Sequence, residues 1–226
     1  MSAPSSSQGW LLAIDTSTEQ AGIALTDGTR TAELSWWAER DQTVTVLAQI
    51  DRLIDLIGIT PADVAAIAVA NGPGMFNGLR VGMSVAKGWH LGSGAALIGI
   101  STFDITTEPF RGLGLPVIAA IAAGRGRIVW QLDGPGSAPV NGTVFELAEA
   151  ALDVKTGVLV AGDLTEQQVE VLTDVSGVVV PAVSARSRRP GVLAELGWRR
   201  FVAGDADDPV ALAPVYVHAA TAPARE

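Results

Sequence analysis

Apolar positions along the chain fall into short unbroken runs and longer stretches spaced by threes and fours, so strands and helices are both expected. Trp10 to Asp15 is an apolar run closing on a carboxylate, and Ala21 to Leu25 is a second after the polar turn Thr16-Ser-Thr-Glu19. The economical reading is a hairpin, with a third strand from Thr31 to Trp37 beyond the Asp27-Gly28 turn signal. Val46, Ile50, Leu53 and Ile57, flanked by Val44, Leu47 and Ile54, carry helical spacing and predict an amphipathic helix that Gly58 ends. Thr60-Pro61-Ala62-Asp63 reads as an N-cap followed by proline at the first helical position, giving one short helix. Ala65 to Ala70 predicts a buried strand, Leu79 to Leu91 a helix, and Ala95 to Ile100 another strand.

The second half opens, after a linker over 101–115, with the apolar run Pro116 to Ala123, the turn Gly124-Arg-Gly126 and the run Arg127 to Leu132. This predicts a second hairpin that echoes the first. A loop spans 134–142, short strands are expected at 158–161 and 178–180 around a helix over 165–172, and a last helix over 191–202, weakened by Gly197. The reading is an α/β chain in which the second half is a reduced copy of the first. Its boundaries are a flexible tail over 1–9, a first lobe over 10–103 and a second, divergent lobe over 104–226.

The most distinctive stretch joins the strand at 65–70 to the following helix: Asn71-Gly-Pro-Gly-Met-Phe-Asn-Gly-Leu-Arg80. Glycines at a helix N-terminus can expose N–H groups to a phosphate. They can equally let the helix fold back closely on its sheet. The loop lacks the Lys-Ser/Thr pair of a Walker A motif and the spacing of the dinucleotide fingerprint, which favours packing. Within the helix, Gly78, Gly82 and Ala86 form one small-residue stripe and Ser84, Gly88 and Gly92 another. Glycine inside a helix costs roughly 0.5–1 kcal/mol relative to alanine, so the pattern predicts close approach of a second helix.

Composition narrows the functional classes. With 48% hydrophobic residues and a mean hydropathy of +0.34, 226 residues suffice for a substantial core. Zero cysteines exclude disulfides, thiolate metal sites and a cysteine nucleophile. No stretch reaches the roughly 18 apolar residues of a bilayer span, and the first nine residues lack the pattern of a signal peptide, so a cytoplasmic protein is expected. A net charge of -9 opposes unaided binding to a polyanion. The one basic cluster is Arg186, Arg188, Arg189, Arg199 and Arg200, which reads as solvated surface or as a contact for RNA or an acidic partner.

Candidate chemistry is sparse. Asp15 at a strand end, with Thr16, Ser17 and Thr18 after it, could position a metal-bound phosphate or could cap its own turn by side-chain to backbone hydrogen bonds. The only histidines, His90 and His218, form no helical pair, and a site built from Asp15, Glu19 and Asp41 would lack imidazole. His90 fits a helix end and His218 a surface position. No Gly-x-Ser-x-Gly elbow exists, Ser84 lies inside the small-residue helix, and Lys87 reads as a solvated lysine.

With these residues in view, the chain resembles the bacterial TsaB family, the dimerisation subunit of the machinery that makes threonylcarbamoyladenosine in tRNA. Three blocks carry the likeness: Leu12-Ala-Ile-Asp-Thr-Ser-Thr18, Gln42 to Asp51 and, most specifically, Ala68 to Gly88. Weaker echoes are Gly124-Arg-Gly126 and Ala213-Pro-Val-Tyr216. The resemblance implies two related actin-like, ribonuclease H-like lobes of the Hsp70 class. It also implies a non-catalytic scaffold that pairs with a catalytic threonylcarbamoyl-transferase subunit and is joined by an ATPase subunit. Alone it would form a homodimer; tRNA would be met only indirectly, with no membrane contact. On this basis the expected interface is Val46, Ile50, Leu53, Met75, Phe76, Leu79, Gly82, Met83, Val85 and Ala86. No cofactor is expected on the isolated chain, with ATP or ADP entering in the assembled complex. The alternatives are an ATP-binding, glycoprotease-like enzyme of the same fold, with Asp15, Thr16, Ser17 and Thr18 near the phosphates, or a structural homodimer. Met75 and Asn77 stand where the family usually has Ser and Thr, and Gln42 where it often has His, which lowers the capacity of the loop to hold an anion.

Overall fold

The computed structural model describes residues 9–38, 42–124 and 126–217. Residues 1–8 of the expected tail, Asp41, His218 and the central Arg125 of the Gly124–Gly126 turn lie outside them. Two compact units emerge, one from the residues up to Ser101 together with Arg189–Pro214, the other from Thr102–Arg188 together with the chain from Val215.

In the first unit, β1 (Trp10–Asp15), β2 (Gln20–Thr26) and β3 (Thr31–Trp37) form an antiparallel meander. β4 (Val64–Gly72) lies parallel to β1 and β5 (Ala96–Ser101) parallel to β4, giving the order β3-β2-β1-β4-β5. Strand pleating sends successive side chains to opposite faces. Leu12, Ile14, Ile67 and Val69 therefore share one face with Val46, Ile50 and Leu53 of α1 (Gln42–Ile57) and Met83 and Ala86 of α2 (Phe76–Ser93). Val46, Ile50 and Leu53 are wholly buried, each contributing about 1.5–3 kcal/mol of transfer free energy. α2 ends at Gly94, whose φ of 74° suits a left-handed cap and whose N–H bonds to the His90 carbonyl.

Leu11 and Ala68, one residue out of phase, face the other side and meet α7 (Pro190–Val202). A Cβ on Gly197 would run into the Ala68 side chain, so α7 reaches the sheet only because that position is glycine. The first unit thus differs from the expected lobe over 10–103 by the addition of 189–214. The helix expected over 191–202 joins the first sheet because its apolar face is complementary to the small residues there. Its entry is fixed by Glu33, which accepts from Gly191 N–H at 2.8 Å and pairs with Arg189.

The second unit repeats the pattern. β6 (Val117–Ala122), β7 (Ile128–Leu132) and β8 (Val140–Gly142) are antiparallel, while β9 (Val158–Gly162) and β10 (Val178–Val179) add in parallel. The order β10-β9-β6-β7-β8 is that of the first sheet when the strands are matched in sequence. One face carries α4 (Val144–Leu152) and α5 (Glu166–Thr173), whose buried Leu147 and Leu172 join Ile118, Val158 and Val160. The other face carries Phe103 of α3 (Thr102–Thr107) against Ala119, Ile121 and Val129. Arg111 ties the end of this segment to β7, donating to Asp104, Glu108 and Asp133 at 2.6–2.9 Å. α6 (Val183–Arg186) is a single turn, and Arg188 beyond it, its side chain 3% exposed, forms an ion pair with Asp163 at 2.6 Å. Two related α/β lobes are thus present, the second with shorter outer strands.

Candidate functional site

The distinctive loop is built onto the turn that follows β1. Asp15, buried, accepts at Oδ1 from the Ser17 N–H (2.9 Å) and from the Ser17 hydroxyl (2.5 Å), closing the turn on itself. The Thr16 hydroxyl donates to the Gly78 carbonyl in the first turn of α2 at 2.7 Å. The Met75 N–H donates to the Ser17 carbonyl at 2.6 Å, and a Cβ at Gly74 would collide with that carbonyl. Gly74 is therefore the residue that lets the loop lie on the turn. Asp15, Thr16, Ser17 and Thr18, the candidates for phosphates, come together as expected, yet the hydroxyls of Thr16 and Ser17 serve internal bonds. An anion bound here would have to displace them.

α2 presents two unlike faces. Gly82 lies over the sheet, where an added Cβ would stand 2.5 Å from the Thr16 hydroxyl oxygen and 3.5 Å from a Val69 methyl. The stripe Gly78, Gly82 and Ala86 thus serves close packing within the unit. Of the residues expected at a partner interface, Val46, Ile50, Leu53, Leu79, Gly82, Met83 and Ala86 are buried in this core, and Val85 is half-buried against it. That expectation is corrected for them: the periodicity that marks a helix face marks first the face that its own sheet covers. Met75 is half-buried, and Phe76 remains 50% exposed, stacked beneath the Arg80 guanidinium at 3.7 Å from the ring centre.

The second stripe is the outward one. Ser84, Gly88 and Gly92 are exposed, and nothing lies within 4 Å of a Cβ placed at Gly88 or Gly92. Leu91 is 83% exposed beside them in sequence, and α1 adds exposed Val44 and Leu47. Val44 and Leu47 fall out of phase with Val46, Ile50, Leu53 and Ile57, and Leu91 falls out of phase with Leu79, Met83 and Ala86, so the spacing itself separates these outward positions from the buried ones.

The five clustered arginines do not form a free basic surface. Arg188 pairs with Asp163, Arg189 with Glu33, Arg199 with Glu195 and Arg200 with Asp205 and Asp207, while Arg186 donates to the carbonyls of Pro181 and Leu164. His90 bonds through Nδ1 to the Ala95 carbonyl at 2.8 Å, holding the end of α2 to the approach of β5. Among the described residues no three His, Asp or Glu side chains gather as metal ligands, and no helix is long and apolar enough to cross a membrane.

Comparison with known proteins places this geometry in a family. Residues 37–186 match the model described as TsaD, tRNA N6-adenosine threonylcarbamoyltransferase. The threonylcarbamoyladenosine biosynthesis protein TsaB of Escherichia coli is 36% identical over 123 residues, 53% of each chain, so that match spans about half the length of either protein. TsaB of Bacillus subtilis is 28% identical over 95% of this chain and 96% of its own. The solved structure of YeaZ from Pseudomonas aeruginosa superposes with a TM-score of 0.74 at 24% identity, covering 92% of this chain and all of that one, which shows the shared fold. The chain therefore belongs to the tRNA N6-adenosine threonylcarbamoyltransferase family and, within it, to the TsaB proteins.

Proposed function

We propose that the chain is a non-catalytic scaffold that pairs, through the outward face of α1 and α2, with a catalytic threonylcarbamoyl-transferase subunit in tRNA threonylcarbamoyladenosine formation. The observation that carries this reading is the open stripe of α2. Gly88, in the helix interior, has no neighbour within 4 Å of an added Cβ, so nothing inside the described unit offsets its helix penalty of roughly 0.5–1 kcal/mol. Small residues there, flanked by exposed Phe76, Leu91, Val44 and Leu47, suit a partner helix at close range. The internal bonding of the Asp15 turn supports a structural role for that motif, with nucleotide entering through the assembled complex and an ATPase subunit. tRNA is met through the partner.

The test is co-purification of the transferase subunit from the same organism with the unsubstituted chain and with Gly88→Arg. The variant is expected to keep its circular dichroism and lose the partner. Retention of the partner at full strength would place the contact elsewhere. Turnover of ATP by the isolated chain, abolished by Asp15→Asn in a folded variant, would overturn the scaffold reading.

A further inference from the structure

The outer edge of the first sheet at β5 is covered by a side-chain clamp. In a parallel pairing, alternate residues of an edge strand turn their N–H and C=O away from the neighbouring strand. On β5 these groups belong to Leu97 and Gly99. The Leu97 carbonyl accepts from the Asp207 N–H at 2.8 Å, the Gly99 N–H donates to the Asp207 carboxylate at 2.7 Å, and the Gly99 carbonyl accepts from the Arg200 guanidinium at 2.9 Å. Arg200 also bonds both carboxylate oxygens of Asp207 at 3.2 Å and Asp205 at 2.7 Å. Asp207 thus takes the place of a strand residue, offering one donor and one acceptor to the edge. Farther along, Leu212 is buried against Gly99, where a Cβ would stand 2.5 Å from its methyl.

The segment so covered, Ala96-Leu-Ile-Gly-Ile-Ser101, has no charge and no proline. Six residues of that composition on an open edge are a template for strand addition. The clamp is itself accessible: the side chains of Arg200, Asp205 and Asp207 are 29%, 62% and 31% exposed, so each ion pair contributes little alone. We propose that Asp205 to Leu212 is a guard strap over β5, and that its release lets β5 pair with the β5 of a second copy of this chain. A second copy is the natural occupant because two identical uncharged edges pair antiparallel about a two-fold axis and close on themselves.

Amide exchange and sedimentation velocity on the full chain carrying Asp207→Ala test this. Gly99 exchange should accelerate about tenfold while β1 and β4 keep their protection. Association above that of the unsubstituted chain should appear and grow with concentration. Unchanged exchange at Gly99 would overturn the strap, and faster exchange without added association would overturn the pairing. Should Asp207→Ala lose protection throughout the sheet, Arg200→Gln, which leaves Asp207 on the Gly99 N–H, must give the local effect; global loss there too would overturn the proposal by making the clamp part of the core.

Discussion

Gly82→Ala and Gly88→Ala are the same change on the same helix, and the structure gives them opposite signs. Each should gain about 0.5–1 kcal/mol from the restriction of the unfolded chain and better helix propensity. At Gly88 nothing lies within 4 Å, so that gain stands. At Gly82 the new methyl would sit 2.5 Å from the Thr16 hydroxyl oxygen, which is buried and bonded to Gly78 at 2.7 Å. Moving that hydroxyl costs about 1–3 kcal/mol for the disrupted hydrogen bond, with a further strain of about 1–3 kcal/mol for overpacking against the Thr16 side chain. The expected net is a loss of about 1–5.5 kcal/mol for Gly82→Ala and a gain of up to about 1 kcal/mol for Gly88→Ala. Urea denaturation followed through amide exchange in β1 and β4 reads the first unit by itself. If Gly82→Ala matches or exceeds the unsubstituted chain, the helix does not approach the sheet through this stripe and the assignment of the two faces fails.

Other outcomes follow from the second unit and from charge. Arg188→Met should leave Asp163 unpaired in a largely desolvated place and lower stability by about 3 kcal/mol, read as a fall in thermal midpoint; no fall would show the pair to be dispensable. The Arg111 guanidinium, hydrogen-bonded to Asp133, holds that carboxyl below its ordinary value of 3.8. A depressed folded value stabilises above the unfolded pKa and is lost as pH falls through the folded one, so Arg111→Ala should flatten the acid limb below about pH 4. An unaltered acid limb would assign that loss to other carboxylates. Because the clustered arginines are internally paired, tRNA affinity of the isolated chain should stay weaker than about micromolar at physiological salt, measured by filter binding. A tight, salt-sensitive affinity would show that these pairs open to RNA.

The strands and the two large first-unit helices were legible because each carries a strong period with clear punctuation. Trp10–Asp15 and Thr31–Trp37 match their expected bounds, and Gly58 ends α1 as read. The second unit was harder. α3 lay in the stretch read as linker, because Thr102-Phe-Asp-Ile-Thr-Thr107 is short and rich in β-branched residues. α4 was missed although its start is signalled by Thr143 and Glu146, whose reciprocal bonds form a capping box. β8 has only three residues and takes its identity from pairing with β7 rather than from its own sequence. The placement of α7 on the first sheet is a tertiary fact. It rests on Gly197 meeting Ala68 and on Glu33 reaching a helix more than a hundred and fifty positions away, and no local pattern announces it. The candidate site was legible as a motif but not as a surface, since spacing identifies a stripe of small residues without saying which of two stripes the sheet will cover.

The proposed role has this chain present the outward face of α1 and α2 to a catalytic relative. Sedimentation velocity of the transferase subunit titrated with the unsubstituted chain and with Gly88→Arg measures it most directly. A heterodimer is expected with the former and separate species with the latter, the variant retaining its far-ultraviolet dichroism. A full-strength complex with Gly88→Arg, or none with the unsubstituted chain, would contradict it.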